Sequence, residues 1–218
     1  MKDVTITVDA ERMVSGLFEM PAKAHACYVL AHGAGAGMQH PFLVAVAQEL
    51  AARGIATLRY NFPYMEQGSK RPDNPKVAHA AVCAAVAEAA RLAPGLPLYA
   101  GGKSFGGRMT SQAQSESPLA GVRGLIFLGF PLHAPGKPSV ERGDHLFKVE
   151  IPMLFLQGTR DEFAELALLE GLVKKLGKRA KLSLFDDADH SFHVPARTGR
   201  KDPQVRAAVL DALAAWVA

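Results

Sequence analysis

A serine lies at the centre of the glycine-rich stretch GGKSFGG, which covers residues 101–107. Gly102, Ser104 and Gly106 form the pattern G-x-S-x-G, which is typical of a tight strand-to-helix turn that exposes a nucleophilic serine. The stretch also contains Gly-Lys-Ser, the last part of a phosphate-binding loop, but the leading glycine of that loop would fall at Pro97. The spacing therefore favours a serine nucleophile over a phosphate site.

The sequence on either side of Ser104 predicts the two elements that such a turn joins. Residues Leu98 to Ala100 predict a short strand, and Ser104 to Ser115 predict a helix. Glycines two positions before and two positions after the serine leave the room that a sharp turn needs. We therefore expect Ser104 to stand at the end of a strand with its hydroxyl exposed.

A serine of this kind needs a base, and the usual order along the chain is serine, then an acid, then a histidine. Asp161 follows the apolar residues Met153 to Leu156, which predict a strand. His190 follows a second predicted strand, Leu182 to Phe185. In this arrangement His190 takes the proton of Ser104, and Asp161 orients the imidazole and stabilises its charged form. The three residues are our candidate catalytic set.

Other acids near this point in the sequence are weaker candidates. None of them directly follows a strand at the expected place between serine and histidine; they are Asp144, Asp186, Asp187 and Asp189. Three of these acids, with His190 and His193, also suggest a metal site. However, ligands on one short loop lack the spacing of known metal motifs. We expect no metal.

A second glycine-rich loop, HGAGAG, follows the predicted strand Cys27 to Ala31 and begins at His32. Hydrolysis of an acyl compound requires N–H donors for the oxyanion. We assign these donors to the backbone of Ala34 and of Phe105, the residue after the candidate nucleophile. Gly35 is the alternative first donor and a candidate for contact with substrate. A dinucleotide-binding fingerprint does not fit, because its third glycine is missing.

Apolar residues after the fourth predicted strand, Ile55 to Tyr60, are candidates for a wall of the substrate site. They are Phe62, Tyr64 and Met65, and packing within the loop explains them equally well. Two basic residues lie near the serine in the sequence, Lys103 and Arg108, and their positive charges would attract an anionic substrate. Exposed surface cations are the simpler interpretation of both.

Strands and helices alternate along the remaining chain, and some strands, such as Gly124 to Leu128, are apolar on both faces. This pattern predicts an α/β protein with a mostly parallel sheet covered by helices on both sides. The first two strands, Val4 to Val8 and Val14 to Phe18, are too close for a crossover helix and should form an antiparallel hairpin at one edge. Residues 1–218 are expected to form one domain without a large lid, because Pro131 to Glu150 holds at most a short helix.

Composition narrows the class of protein. The net charge of +4 is compatible with nucleic-acid binding. However, the densest basic cluster, Lys174 to Lys181, lies where a predicted helix ends, and positive charge is favourable at the C-terminus of a helix. No apolar run reaches the length of a membrane span, and the charged N-terminal residues do not resemble a secretion signal. Cys27 and Cys83 offer no disulfide framework. We expect a cytoplasmic protein that binds neither nucleic acid nor membranes, and the sequence leaves the oligomeric state open.

Taken in order, the segments AHGAGAGMQHPF, RYNFPYME, GGKSFGGRM, GFPLHAPGKP, FLQGTRDEF and DADHSF resemble the α/β-hydrolase superfamily over nearly the whole chain. The resemblance is to a small lidless branch, with a more distant similarity to dienelactone hydrolases. It implies an eight-stranded sheet and a nucleophile, acid and base at Ser104, Asp161 and His190. Dienelactone hydrolases carry a cysteine at the position of Ser104, and some members of the branch are scaffolds.

The leading hypothesis is a serine hydrolase that acts on a small-molecule carboxylic ester, thioester or similar acyl compound without any cofactor. The alternative is a non-catalytic scaffold or binding module that keeps the fold. Hydrolysis of a carbon–carbon bond, or transfer of the acyl group to an acceptor other than water, would use the same residues. The absence of a lid favours small or partly exposed esters over long buried lipids.

Overall fold

The computed structural model describes all residues, 1–218, and consists of one eight-stranded sheet flanked by helices. The strands are β1 (Lys2–Thr7), β2 (Met13–Glu19), β3 (Ala26–Ala31), β4 (Ile55–Tyr60), β5 (Leu98–Lys103), β6 (Val122–Leu128), β7 (Met153–Gly158) and β8 (Ala180–Phe185). The helices are α1 (Pro41–Ala52), α2 (Pro63–Glu66), α3 (Pro75–Leu92), α4 (Phe105–Glu116), α5 (Leu166–Leu176) and α6 (Asp202–Val217). The sequence also predicts five helices, near Phe42 to Arg53, Pro75 to Leu92, Ser104 to Ser115, Glu162 to Leu176 and Pro203 to Val217. All eight predicted strands and all five predicted helices are present.

The strands lie in the order β1-β2-β4-β3-β5-β6-β7-β8. Strand β2 pairs antiparallel with both β1 and β4, and the remaining neighbours pair in parallel. This confirms the predicted hairpin at one edge of a mostly parallel sheet. The carboxyl ends of β3 and of β5 to β8 therefore meet along one edge, which is where open sheets of this type bind ligands.

Helices cover both faces of the sheet. One face packs against α3, α4 and α5, and the other packs against α1 and α6. Helix α3 shows how the sequence produces this layer: Asn74 caps its first turn by accepting from the N–H of Val77, and Pro75 starts the helix. Its buried residues, such as Ala78 and Val82, recur every three or four positions and so face the sheet. The central strands are buried on both sides, as their apolar sequences predict.

One helix differs from the sequence-based expectation. Helix α5 begins at Leu166 and not at Glu162, because the carboxylate of Asp161 accepts the N–H of Phe163 and holds a turn there in place of the first helical turn. The stretch from Pro131 to Glu150 agrees with the prediction, because it contains only a short 3₁₀ helix at Glu141–Lys148 and no large lid. The basic cluster begins in the last turn of α5, as expected. None of the helices is both long and apolar enough to span a bilayer.

Candidate active site

Ser104 occupies the turn between β5 and α4 in a backbone conformation that L-residues rarely adopt, with φ of 51° and ψ of −117°. The turn brings two chain segments into close approach. A Cβ atom on Gly102 would lie 2.2 Å from the carbonyl oxygen of Ala31, and one on Gly106 would lie 2.6 Å from that of His32. Both positions therefore require glycine. The strained turn lifts the Ser104 side chain out of the sheet edge.

The structure brings Ser104, His190 and Asp161 into one hydrogen-bonded line. The Nε2 atom of His190 lies 2.8 Å from the hydroxyl oxygen of Ser104. On the other side of the ring, Nδ1 lies 2.7 Å from Oδ2 of Asp161. A carboxylate can only accept here, so Nδ1 carries the proton and Nε2 is free to accept the serine proton. Ser104, His190 and Asp161 therefore have the relative geometry of a nucleophile, a base and an orienting acid.

Asp161 is itself held by hydrogen bonds below the surface. Its Oδ2 accepts the side-chain amide of Gln157 at 2.5 Å, and its Oδ1 accepts the N–H of Phe163 at 2.8 Å. Gln157 is fully buried at the end of β7, and its side-chain oxygen, Oε1, accepts the backbone N–H of Phe130 at 2.8 Å. These contacts fix the carboxylate plane. Gln157 is not among the residues predicted from the sequence, although its place at the end of the strand before Asp161 is a usable signal.

His190 lies in a partly enclosed position, packed against the ring of Phe163 at a centroid distance of 4.3 Å. Burial lowers the pKa of its imidazole, the hydrogen bond to Asp161 opposes that change, and the charge of Lys103 lowers the pKa further. The neutral form is therefore favoured at neutral pH. A neutral imidazole is the form that can accept a proton from Ser104.

Lys103 is not the exposed surface cation that the sequence suggests. Its ammonium group donates to the backbone carbonyl of His190 at 2.6 Å and lies 5.9 Å from the centre of the Phe192 ring. Burial lowers the pKa of Lys103 to about 8, against the attraction of the Asp161 and Asp189 carboxylates. Lys103 thus ties the loop that carries His190 to the end of β5.

The two proposed oxyanion donors flank Ser104. Ala34 lines the surface around the serine, and its backbone N–H donates to no acceptor within the protein. Phe105 is the first residue of α4, where backbone N–H groups have no partner in the helix. The N–H of Gly35, the alternative donor, is already bonded to the hydroxyl of Tyr64 at 2.9 Å. The arrangement favours Ala34 and Phe105.

The structure does not place the three apolar candidates, Phe62, Tyr64 and Met65, in a wall of the substrate site, which corrects the prediction. Phe62 and Tyr64 are buried, at 0% and 2% exposure, and line neither of the two cavities beside Ser104. Met65 is half-buried, packs against the core beneath the glycine loop and lines neither cavity. Gly35 is also absent from both cavity walls. These residues support the site from behind because their loop packs inward.

His32, at the start of the glycine loop, is the centre of that support. It is fully buried, its Nδ1 lies 2.7 Å from the carbonyl of Gly33, and its Nε2 accepts the N–H of Phe62 at 3.1 Å. Burial lowers the pKa of His32 to about 4, so the ring is neutral and can make both bonds. The sequence alone indicates no role for His32 beyond its place at the start of the loop. It fixes the loop that carries Ala34.

Two cavities meet at Ser104. The larger, of about 700 Å³, is bordered by His190 and by the rings of Phe42, Phe163 and Phe192. The smaller, of about 390 Å³, is bordered by Phe105, Arg108 and Arg142. Ser104, Ala34 and Phe163 border both cavities. A substrate carbonyl at Ser104 can therefore extend in two directions.

The alternative acids do not contact His190. Oδ1 of Asp189 accepts the backbone N–H groups of Ser191 and His193, and the ring of His193 pairs with Asp202. No group of three or more histidine, cysteine or acidic side chains has the arrangement of a metal site.

A second serine–histidine pair exists, Ser111 and His145, with 2.7 Å between the hydroxyl oxygen and Nε2. Ser111 is fully buried and its histidine contacts no acid, so the pair serves as an internal control for Ser104.

The sequence profile of the alpha/beta hydrolase domain matches residues 24–218. Among solved structures, the chain is similar to an α/β serine hydrolase homologue from Coxiella burnetii, with 19% identity, a TM-score of 0.77 and 97% of each chain covered. An α/β serine hydrolase without a lid from Xanthomonas campestris has 20% identity and a TM-score of 0.76, covering 99% of this chain and 94% of that one. A dienelactone hydrolase from Anabaena variabilis has 20% identity and a TM-score of 0.79, with 99% and 95% covered. At these identities the structural matches establish the fold alone.

Proposed function

Because the match over residues 24–218 shows that this chain belongs to the alpha/beta hydrolase domain family, we propose that it is a serine hydrolase of carboxylic esters, thioesters or related acyl compounds. The observation that carries the proposal is the line from Ser104 through His190 to Asp161, with distances of 2.8 Å and 2.7 Å. A scaffold needs no such line. The similar solved structures include a serine hydrolase homologue and an esterase domain from Rhodothermus marinus, which supports the same class of reaction.

In the proposed first half-reaction, His190 removes the proton from Ser104 as Oγ attacks the carbonyl carbon of the substrate. The carbonyl oxygen becomes an oxyanion and is stabilised by the N–H groups of Ala34 and Phe105. His190 then gives its proton to the leaving alcohol or thiol. The bond between the carbonyl carbon and the leaving group breaks, and an acyl-serine remains.

In the second half-reaction, His190 removes a proton from a water molecule that attacks the acyl carbon. The oxyanion forms again at the same donors and collapses with release of the carboxylic acid. His190 returns the proton to the Oγ of Ser104. Asp161 stabilises the imidazolium that forms in each half without itself taking up the proton.

Hydrolysis of 4-nitrophenyl butyrate tests the proposal. We expect wild type to release 4-nitrophenol, and Ser104→Ala to reduce kcat by about a thousandfold or more. Ser111→Ala is the matched control, because it removes a serine that also contacts a histidine but lies buried in α4. Equal activity in wild type and Ser104→Ala would show that the hydrolysis does not depend on this site.

A further inference from the structure

The smaller cavity beside Ser104 contains two guanidinium groups, those of Arg108 and Arg142. Arg108 lies one helical turn after the serine in α4, and its backbone N–H donates to the carbonyl of Ser104 at 3.1 Å. Arg142 belongs to the 3₁₀ helix that follows β6. Two separate elements thus place positive charge in one cavity at the serine.

Neither guanidinium is neutralised by the protein. No ion pair in the structure includes Arg108 or Arg142. The Nε atom of Arg108 is buried and has no hydrogen-bond partner. Burial lowers the pKa of Arg108, and the charge of Arg142 adds to that change. Burying a guanidinium without a hydrogen-bond partner costs free energy. An anion bound between the two arginines would offset this desolvation cost and the electrostatic repulsion between the two positive charges.

One carboxylate borders the same cavity, that of Asp73. Its Oδ2 accepts the backbone N–H of Tyr64 at 2.9 Å, and it lies beyond ion-pair distance of both arginines. Asp73 is therefore engaged by the loop that supports the glycine-rich segment. The cavity is therefore bordered by two positively charged side chains and by one carboxylate that already accepts a hydrogen bond.

The position of His190 indicates which half of a substrate enters this cavity. His190 must protonate the leaving group, and it borders the larger cavity but not the smaller one. The leaving group therefore belongs on the side of the larger cavity. The acyl part then extends into the smaller cavity, past Phe105 and toward Arg108.

We propose that Arg108 and Arg142 bind a carboxylate carried by the acyl part of the substrate, so that the preferred substrates are half-esters or half-thioesters of short dicarboxylic acids. This inference rests on the proposed function. A helical turn rises about 5.4 Å, so a separation of about two to four carbons between the two carbonyl groups suits the distance from Ser104 to Arg108. Lys103 has no part in this site, because its ammonium group is bonded to the backbone of His190.

Two esters of matched shape test the proposal. One is the mono-4-nitrophenyl ester of glutaric acid, and the other is 4-nitrophenyl 5-methylhexanoate, in which an isopropyl group replaces the carboxylate. The measured quantity is the ratio of kcat/KM for the anionic ester to kcat/KM for the neutral ester. We expect wild type to favour the anionic ester. Arg108→Gln and Arg142→Gln should each lower the ratio by about tenfold, since each removes one charge-assisted hydrogen bond.

Arg123→Gln is the control, because Arg123 is an exposed arginine near the start of β6, at the opposite end of the strand from the site. It should leave the ratio unchanged. If wild type hydrolyses both esters with no preference, or if the control lowers the ratio as much as the other variants, the anion site is wrong and the hydrolase proposal stands. If wild type hydrolyses neither ester and Ser104 does not react with a fluorophosphonate, both proposals fail together. Arg142→Gln keeps the test valid if Arg108→Gln does not fold.

Discussion

The ammonium group of Lys103 lies 2.6 Å from the backbone carbonyl oxygen of His190. This contact joins the end of β5, which carries the candidate nucleophile, to the loop that carries the candidate base. It also places a positive charge close to an imidazole that must accept a proton. The side chain therefore acts on both the position and the pKa of His190.

Replacing Lys103 with methionine should change the pH dependence of hydrolysis. His190 must be neutral to act as a base, so kcat/KM falls as the pH drops through its pKa. Burial is the main cause of the lowered pKa, and the Lys103 charge lowers it further. Lys103→Met removes the second cause, so the acidic limb of the profile should move to higher pH. Lys2→Met, on the far edge strand β1, should leave the profile unchanged. A shift to lower pH in Lys103→Met would contradict this account.

Gln157 should position Asp161 through its 2.5 Å hydrogen bond. We expect Gln157→Leu to lower kcat by about tenfold, with a smaller effect on KM, because the carboxylate loses a fixed donor. Gln114→Leu is a matched control, since Gln114 is also buried and bonds to a backbone N–H, that of Leu119. The control should lose stability and keep kcat. Equal losses of kcat in the two variants would indicate a merely structural role for Gln157.

Gly106 is required by the close approach of α4 to the end of β3. A Cβ atom there would lie 2.6 Å from the carbonyl oxygen of His32, and backbone atoms cannot easily give way. Gly106→Ala should lower the free energy of unfolding by about 1–3 kcal/mol, as measured by urea denaturation. Gly171→Ala in α5 is the control: a Cβ meets nothing within 4 Å, and alanine should add up to about 1 kcal/mol through helix propensity. A stable Gly106→Ala with unchanged activity would contradict the turn geometry.

The sequence predicted the sheet and the line of chemical residues because both depend on local patterns. Apolar runs indicated every strand, and the positions of Ser104, Asp161 and His190 directly after strands placed them at one sheet edge. Resemblance to the α/β-hydrolase superfamily led to the same arrangement. These features require only strand order and the rule that ligands bind at carboxyl ends.

The direction of individual side chains could not be predicted in this way. Phe62 and Tyr64 follow a strand, as a substrate wall would, yet a one-turn helix at Pro63–Glu66 turns them into the core. Lys103 looks like an exposed cation in the sequence, but its bond is to a residue 87 positions away. Arg142 lies in the stretch where the sequence shows no periodicity. Each depends on contacts between distant segments.

The absence of a lid leads to a prediction about acyl-chain length. The cavities beside Ser104, of about 700 Å³ and 390 Å³, suit small acyl compounds better than a long fatty acyl chain. Among neutral 4-nitrophenyl esters, we expect acetyl and butyryl esters to have higher kcat/KM than the palmitoyl ester, assayed below its micelle concentration. Much faster hydrolysis of the palmitoyl ester would overturn this expectation.

Intact-mass spectrometry after treatment with a fluorophosphonate tests the central claim most directly, since this reagent labels a serine activated by its neighbours. The account predicts one adduct on wild type and on Ser111→Ala, and none on Ser104→Ala. No adduct on folded wild type, or an adduct that persists on Ser104→Ala, would contradict the assignment of Ser104 as the nucleophile.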